Sequence, residues 1–169
     1  LSTRARDLVE RMTMGKISGA SAVLIPQPIS TQSGLLNDDM TPTELLLPWR
    51  LTASQLSETQ YMGQLDLPNN SENYVFRKGN DVTMLIWRDY PNQEVIDLGD
   101  NLHTQDCWGR DSNSFRSAEE DTLDVTSVPQ FVTGLNPNMV EWQLNCRFVD
   151  PHLDSVIGRK QQRTLEFKN

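Results

Sequence analysis

The sequence predicts a mainly β protein, an antiparallel β-sandwich preceded by a short α/β segment. Three observations carry this. From Tyr61 onward, short runs rich in β-branched and aromatic residues recur at close intervals, separated by Gly, Pro, Asn and Asp. Tyr74 to Arg77 and Val82 to Trp87 flank a Gly-containing four-residue link, Lys78 to Asp81, which is a hairpin signal. The first third of the chain follows helical spacing instead. Evenly spaced short strands with intervening turns are the pattern of an immunoglobulin-like or related sandwich.

The elements follow in order. Leu8, Val9 and Met12 share one face of a helix over Ser2–Met14, with Arg4, Arg6, Glu10 and Arg11 mostly on the other and Gly15 placed to end it. Ala22 to Ile25 reads as a short buried strand stopped by Pro26. The following stretch, Pro26 to Met40, is long for a structureless connection and rich in Ser, Asn and Asp. Thr41, Pro42 and Glu44 form a capping-box start for a second helix. Pro48 should kink it, with a further helical piece over Trp49 to Leu56. Beyond the hairpin, strands are expected over Gln93 to Leu98, Leu102 to Asp106, Ser114 to Arg116, Leu123 to Val125 and Gln130 to Thr133. Val140 to Phe148 and Arg163 to Phe167 complete the series. The chain thus divides into 1–62, a helix-strand-loop-helix segment; 63–136, the sandwich; and 137–169, further strands that could open another β module.

Composition removes several function classes. With 15 Lys and Arg against 23 Asp and Glu, the net charge is -8, and the basic residues are scattered. A nucleic-acid partner needs a cationic patch that displaces counterions, so none is expected. No stretch approaches the roughly 20 apolar residues that span a bilayer, so membrane insertion is not expected. Cys107 and Cys146 belong to no C-x-x-C pair or zinc spacing, which leaves either one disulfide or two thiols that pack as small hydrophobes. No cofactor is expected.

The segment from Leu102 to Ser112 gathers His103, Asp106 and Cys107 within five positions, enough donors in principle for a metal. Alternation argues against it. If Leu102 to Asp106 is extended, His103 and Asp106 point to opposite sides and Cys107 lies past the turn. A structural corner is therefore expected: Asp106 accepts local backbone bonds, Gly109 takes a positive φ and Trp108 offers surface to bury. Trp49, Trp87, Trp108 and Trp142 are candidates to stack on sugar rings. Trp87 and Trp142 sit within apparent strands and are expected in the core, Trp49 between helices, and Trp108 at the corner as the best glycan contact, with Asp106 and Arg110 beside it.

The adjacent acids Asp38-Asp39 and Glu119-Glu120-Asp121 are expected to be solvated, because working pairs converge from separate elements. Asn37 to Met40 lacks the spaced ligands of an EF-hand. Asn69-Asn70-Ser71 matches the N-glycosylation acceptor pattern. Neither the loop around Asn37 to Asp39 nor His103 or His152 completes a nucleophile-base-orienter set, so no catalytic or metal residue is assigned.

Three pieces stand in a specific order: the hairpin with Phe76, Arg77 and Gly79 leading to Trp87; the corner Asp106, Trp108, Gly109 and Arg110; and the strand with Pro129, Phe131, Val132 and Gly134. Together, over Tyr74 to Leu135, they resemble the C-terminal β-sandwich of glycoside-hydrolase-like proteins built on a (β/α)8 barrel. Ala22 to Met62 resembles the final strand, loop and helix of such a barrel, and Val140 to Asn169 the start of a further sandwich module. The resemblance implies a larger, secreted or periplasmic, carbohydrate-handling parent, with the rest of that polypeptide as partner and a glycan as ligand. In such barrels the catalytic groups come from the ends of earlier strands, so no catalytic residue carries over. The expected role is a non-catalytic module that is mainly structural. An immunoglobulin-like protein-interaction or surface-assembly module is the alternative.

Overall fold

The computed structural model describes residues 2–99, 102–111, 114–116 and 121–145. Helix α1, Ser2–Ile17, buries Ala5, Val9, Met12 and Thr13, one face at helical spacing. It passes through Gly15 rather than ending there. A Cβ on Gly15 would lie 2.9 Å from Val23 Cγ2, so the glycine admits the close approach of the next segment. The turn falls to Gly19 at φ 77°.

Ala22 to Ile25, expected as a buried strand, joins neither sheet. Val23 is 42% exposed and Leu24 85% exposed. An apolar run becomes a strand only when a ladder partner lies beside it, and among the described residues none does.

The second helix also starts later than its capping box implies. Asp39 accepts from the Thr41 amide at 3.0 Å and from its hydroxyl at 2.6 Å, which takes Thr41 away from the cap. Glu44 is drawn to Arg4 at 2.6 Å. Helix α2 is Leu46–Leu56, and Pro48 therefore sits in its first turn. An amide there has no intrahelical acceptor to lose, so one continuous helix replaces the expected kinked pair.

The remainder builds two antiparallel sheets. Their strands are β1 (Gln60–Gly63), β2 (Glu72–Lys78), β3 (Asp81–Trp87), β4 (Asn92–Ile96), β5 (His103–Asp106), β6 (Ser114–Arg116), β7 (Asp121–Val125) and β8 (Gln130–Thr133). One sheet has the order β1-β2-β3-β8-β5 and the other β4-β7-β6. The expected hairpin is β2–β3, closed between Lys78 and Asp81 with Gly79 at φ 61°. Strand β1 was not expected; it pairs with β2 through an irregular register between Tyr61 and Gly63.

The two sheets face each other over Val75, Val82, Met84, Ile86, Ile96, Leu123, Val125 and Val132. This is the expected β-sandwich. The five-stranded sheet is covered on its other face as well, where Phe76, Leu85, Trp87 and Phe131 pack with Ala5 and Val9 of α1 and Leu56 of α2. Burial on both faces explains why β3 is apolar through Met84, Leu85, Ile86 and Trp87, all 0% exposed, where a one-sided strand would alternate.

Helix α3, Pro137–Asn145, stands where a strand was expected from Val140. Asn136 Oδ1 accepts from the amides of Asn138 and Met139, and Pro137 takes the first helical position. Val140 is buried, with Met139 and Leu144 packed on the same core, a helical rather than alternating set. Trp142, expected in the core, is half exposed because that geometry turns it outward. The expected strand over Arg163 to Phe167, with Cys146 and His152, lies outside the described residues.

Candidate functional site

The corner after β5 is built from its register with β8. Thr104 pairs with Val132 and Asp106 with Gln130, on the face toward the second sheet; His103 and Gln105 take the other face. His103 is exposed and Asp106 buried, so the alternation expected from the sequence separates them. Cys107 lies with the helix-facing cluster at 0% exposure. Among the described residues, no group of three or more His, Cys, Asp and Glu is placed to hold a metal ion.

Asp106 organises the turn. One carboxylate oxygen accepts from the amides of Trp108 at 2.9 Å and Arg110 at 3.0 Å, and the other accepts from Arg110 Nε at 2.6 Å. The backbone closes from Gly109 N to Asp106 O at 2.9 Å and from Asp106 N to Arg110 O at 2.8 Å, with Gly109 at φ 82°. Only glycine adopts that φ at little cost. Beyond the turn, Asp111 bridges back to Gln105, and its carboxylate lies 3.2 Å from His103 Nε2 on an exposed surface.

Trp108 ties the corner to the N-terminal third. Its indole Nε1 donates to Glu44 O at 3.1 Å, and the Arg110 guanidinium lies 5.0 Å from its ring centroid. The ring thus offers a ligand less than two free faces. Burial, and next the charge of Asp106, push the Cys107 thiol up to about 12, so it stays protonated at neutral pH and is no nucleophile.

The other candidates scatter. Trp87 is fully buried, with Tyr74 5.4 Å away, and Trp49 is partly buried against the helix-facing cluster, both as expected. Asp39 holds Thr41, whose hydroxyl and amide keep its carboxyl below the usual range. Asp38 lines an open cleft of about 560 Å³ with Gln27, Ser30, Thr31 and Gln32. Glu119 and Glu120 lie outside the described residues.

Sequence reasoning missed Glu94. It is 0% exposed on the inward face of β4 and accepts from the amides of Asn69 and Ser71, both at 3.1 Å, and from the Ser71 hydroxyl at 2.6 Å. Asn70, between the two amides, has φ 56°, which turns both N–H groups inward. The signal was its place two residues before Ile96, which shares its face.

No family model and no curated protein matches this chain. Among solved structures it is similar to a family 39 glycoside hydrolase from the gut symbiont Bacteroides cellulosilyticus WH2. The TM-score is 0.55 at 14% identity, over 77% of this chain and 30% of that one. It is also similar to a glycoside hydrolase family 30 subfamily 8 xylanase from Clostridium acetobutylicum, with TM-score 0.49 and 12% identity, over 77% of this chain and 39% of that one. The chain thus spans about a third of the length of the proteins it matches, and what it shares with the first of them is the fold.

Proposed function

We propose that this chain is a non-catalytic β-sandwich module of a larger carbohydrate-active or carbohydrate-associated polypeptide, whose main work is to dock against and buttress the remainder. The observation that carries the reading is the segment Ala22 to Ile25: an apolar run with the composition of a buried strand, yet without a ladder partner among the described residues and exposed at Val23 and Leu24. Such backbone completes itself by pairing with a strand supplied from elsewhere. The shared fold with a family 39 glycoside hydrolase, over about a third of that protein, supports placing the remainder in a carbohydrate-handling parent.

Four of the described acids are committed to structure. Asp39 holds Thr41, Asp106 holds the corner, Glu94 holds the 69–71 turn and Glu44 pairs with Arg4. Glycan contact at Trp108, Asp106 and Arg110 is a minor part of the role, because Asp106 is spent on the turn, the Trp108 indole N–H on the Glu44 carbonyl and Arg110 Nε on Asp106.

Amide hydrogen exchange tests the docking. Ala22 to Ile25 should exchange freely in the isolated chain and be protected in the native gene product purified from its source. Free exchange in both would overturn the reading. Protection arising from self-association of the isolated chain, visible as a dimer by sedimentation and lost in Leu24→Ser, would instead favour an immunoglobulin-like protein-interaction module.

A further inference from the structure

A second cleft, of about 370 Å³, gathers side chains from α2, the β2–β3 hairpin and the end of β8. Its floor follows from the strand period. Val82, Met84 and Val132 face the other sheet, while Phe76, Leu85 and Phe131 face the helices. Thr83 and Thr133, one residue past the Met84–Val132 pair on neighbouring strands, therefore turn toward the helices as well. Helix α2 ends at Leu56, and Ser54 and Gln55 of its last turn line the same cleft with Asn80 and Asp81 of the hairpin. The rim is held in place. The Thr59 hydroxyl donates to Leu56 O at 2.8 Å, closing the end of α2, and Lys78 Nζ lies 2.7 Å from the Glu58 carboxylate. A cleft ordered before a ligand arrives loses less entropy on binding.

The lining selects the chemistry of a ligand. Val82 and Leu135 are only 2% and 4% exposed and Gly134 has no side chain, so the cleft presents little apolar surface and no aromatic ring. An apolar ligand would gain little there. Lys78, the cation of the lining, is already paired with Glu58, and Asp81 adds a negative charge, which disfavours a phosphate or carboxylate ligand. What remains is hydroxyl and amide. Among the described residues, no side-chain hydrogen bond engages Ser54, Gln55, Asn80, Asp81 or Thr83, whereas the polar groups of the Trp108 corner are spent on one another. Hydroxyls and amides both donate and accept, and a carboxylate accepts from two neighbouring hydroxyls at once. Such a lining matches a neutral ligand whose rim is itself made of hydroxyls.

We propose that this cleft binds an uncharged, hydroxyl-rich ligand, a free sugar or the end of a glycan chain, through Thr83, Thr133, Ser54, Gln55, Asn80 and Asp81. The inference rests on the carbohydrate reading above and moves its principal contact from the Trp108 corner to the end of α2. Each of these groups exchanges water for ligand, so each bond adds little net and binding is weak, about millimolar.

Titration of the isotopically labelled full chain with glucose, xylose, cellobiose, xylobiose and mannobiose, followed through amide chemical shifts, tests it. At least one sugar should move the amides of Gln55, Thr83 and Thr133 along a saturating curve. Tighter binding of a disaccharide than of its monosaccharide would assign the cleft to a chain end, and equal binding to a free sugar. Thr83→Val, which suits a strand, and Asp81→Asn should each raise Kd about five-fold or more, with the rest of the amide spectrum in place to verify the fold. Binding unchanged in both variants, or no shift at the cleft with any sugar, would overturn the site. Shifts confined to Trp108, Gly109 and Arg110 would overturn it and leave the carbohydrate reading standing. No shift anywhere would remove glycan contact altogether and leave the docking role to be judged by hydrogen exchange. Inorganic phosphate bound at the cleft more tightly than every sugar would overturn the ligand class.

Discussion

Trp108 and Glu44, 64 positions apart, are joined by one hydrogen bond from the indole Nε1 to the backbone carbonyl at 3.1 Å. The carbonyl lies just before α2, so the bond ties the sandwich corner to the helical layer. Trp108→Phe keeps the packing and loses the bond, and should cost about 1 kcal/mol. Trp108→Ala removes packing as well, for about 2–3 kcal/mol, read as a lowered denaturant midpoint. A Trp108→Phe variant as stable as the parent would show that the bond contributes nothing.

Asp106 and Arg110 should separate sharply although they pair with each other. Asp106→Ala leaves two turn amides without their acceptor at a nearly buried position, and should cost about 2–4 kcal/mol. The Arg110 side chain is 71% exposed, so Arg110→Ala should cost less than about 1 kcal/mol. Urea unfolding of the two variants decides it, and similar losses would mean that the ion pair, not the turn, holds the corner.

Glu94→Gln is nearly isosteric, but it places an amide NH₂ against donors that need an acceptor. It should destabilise by about 1–3 kcal/mol, and Glu94→Ala by more, since both bonded amides and a cavity are then left behind. Thermal unfolding measures both. Fast amide exchange at Asn69 and Ser71 in Glu94→Gln should accompany the loss.

Alkaline pH should weaken the fold through Cys107. Its thiol is raised from 9.0 to about 12 in the folded protein, chiefly by burial. The unfolded thiol therefore ionises first, and the stability due to the buried neutral thiol is complete below pH 9 and lost as pH rises toward 12. Tyr74, raised by burial and by its hydrogen bond to Glu72, adds in the same direction. Melting temperature should fall more steeply above pH 9 in the parent chain than in Cys107→Ala. Parallel curves would refute the Cys107 part.

Legibility followed the range of the interactions. The β2–β3 hairpin, the strands from Gln93 to Thr133 and the corner at Asp106 could be read directly, because a tight turn with a glycine at positive φ and a strand's period of two are set by neighbours in the chain. The buried Trp87 followed from its apolar run. Helix α3 was misread as a strand because Val140, Trp142 and Leu144 alternate as well as they wind, and the Asn136 cap with Pro137 decides between the two.

What depends on distant partners was not written locally. Ala22 to Ile25 has a strand's composition, but composition supplies no ladder partner, and the segment finds none among the described residues. Thr41 could cap a helix until Asp39 claimed it, and Glu94 is enclosed by a turn at residues 69–71, far from it in the chain. Local periodicity and turn chemistry named most of the strands; which side chains were buried, bonded or left in water was settled by packing, because burial is a property of what lies opposite.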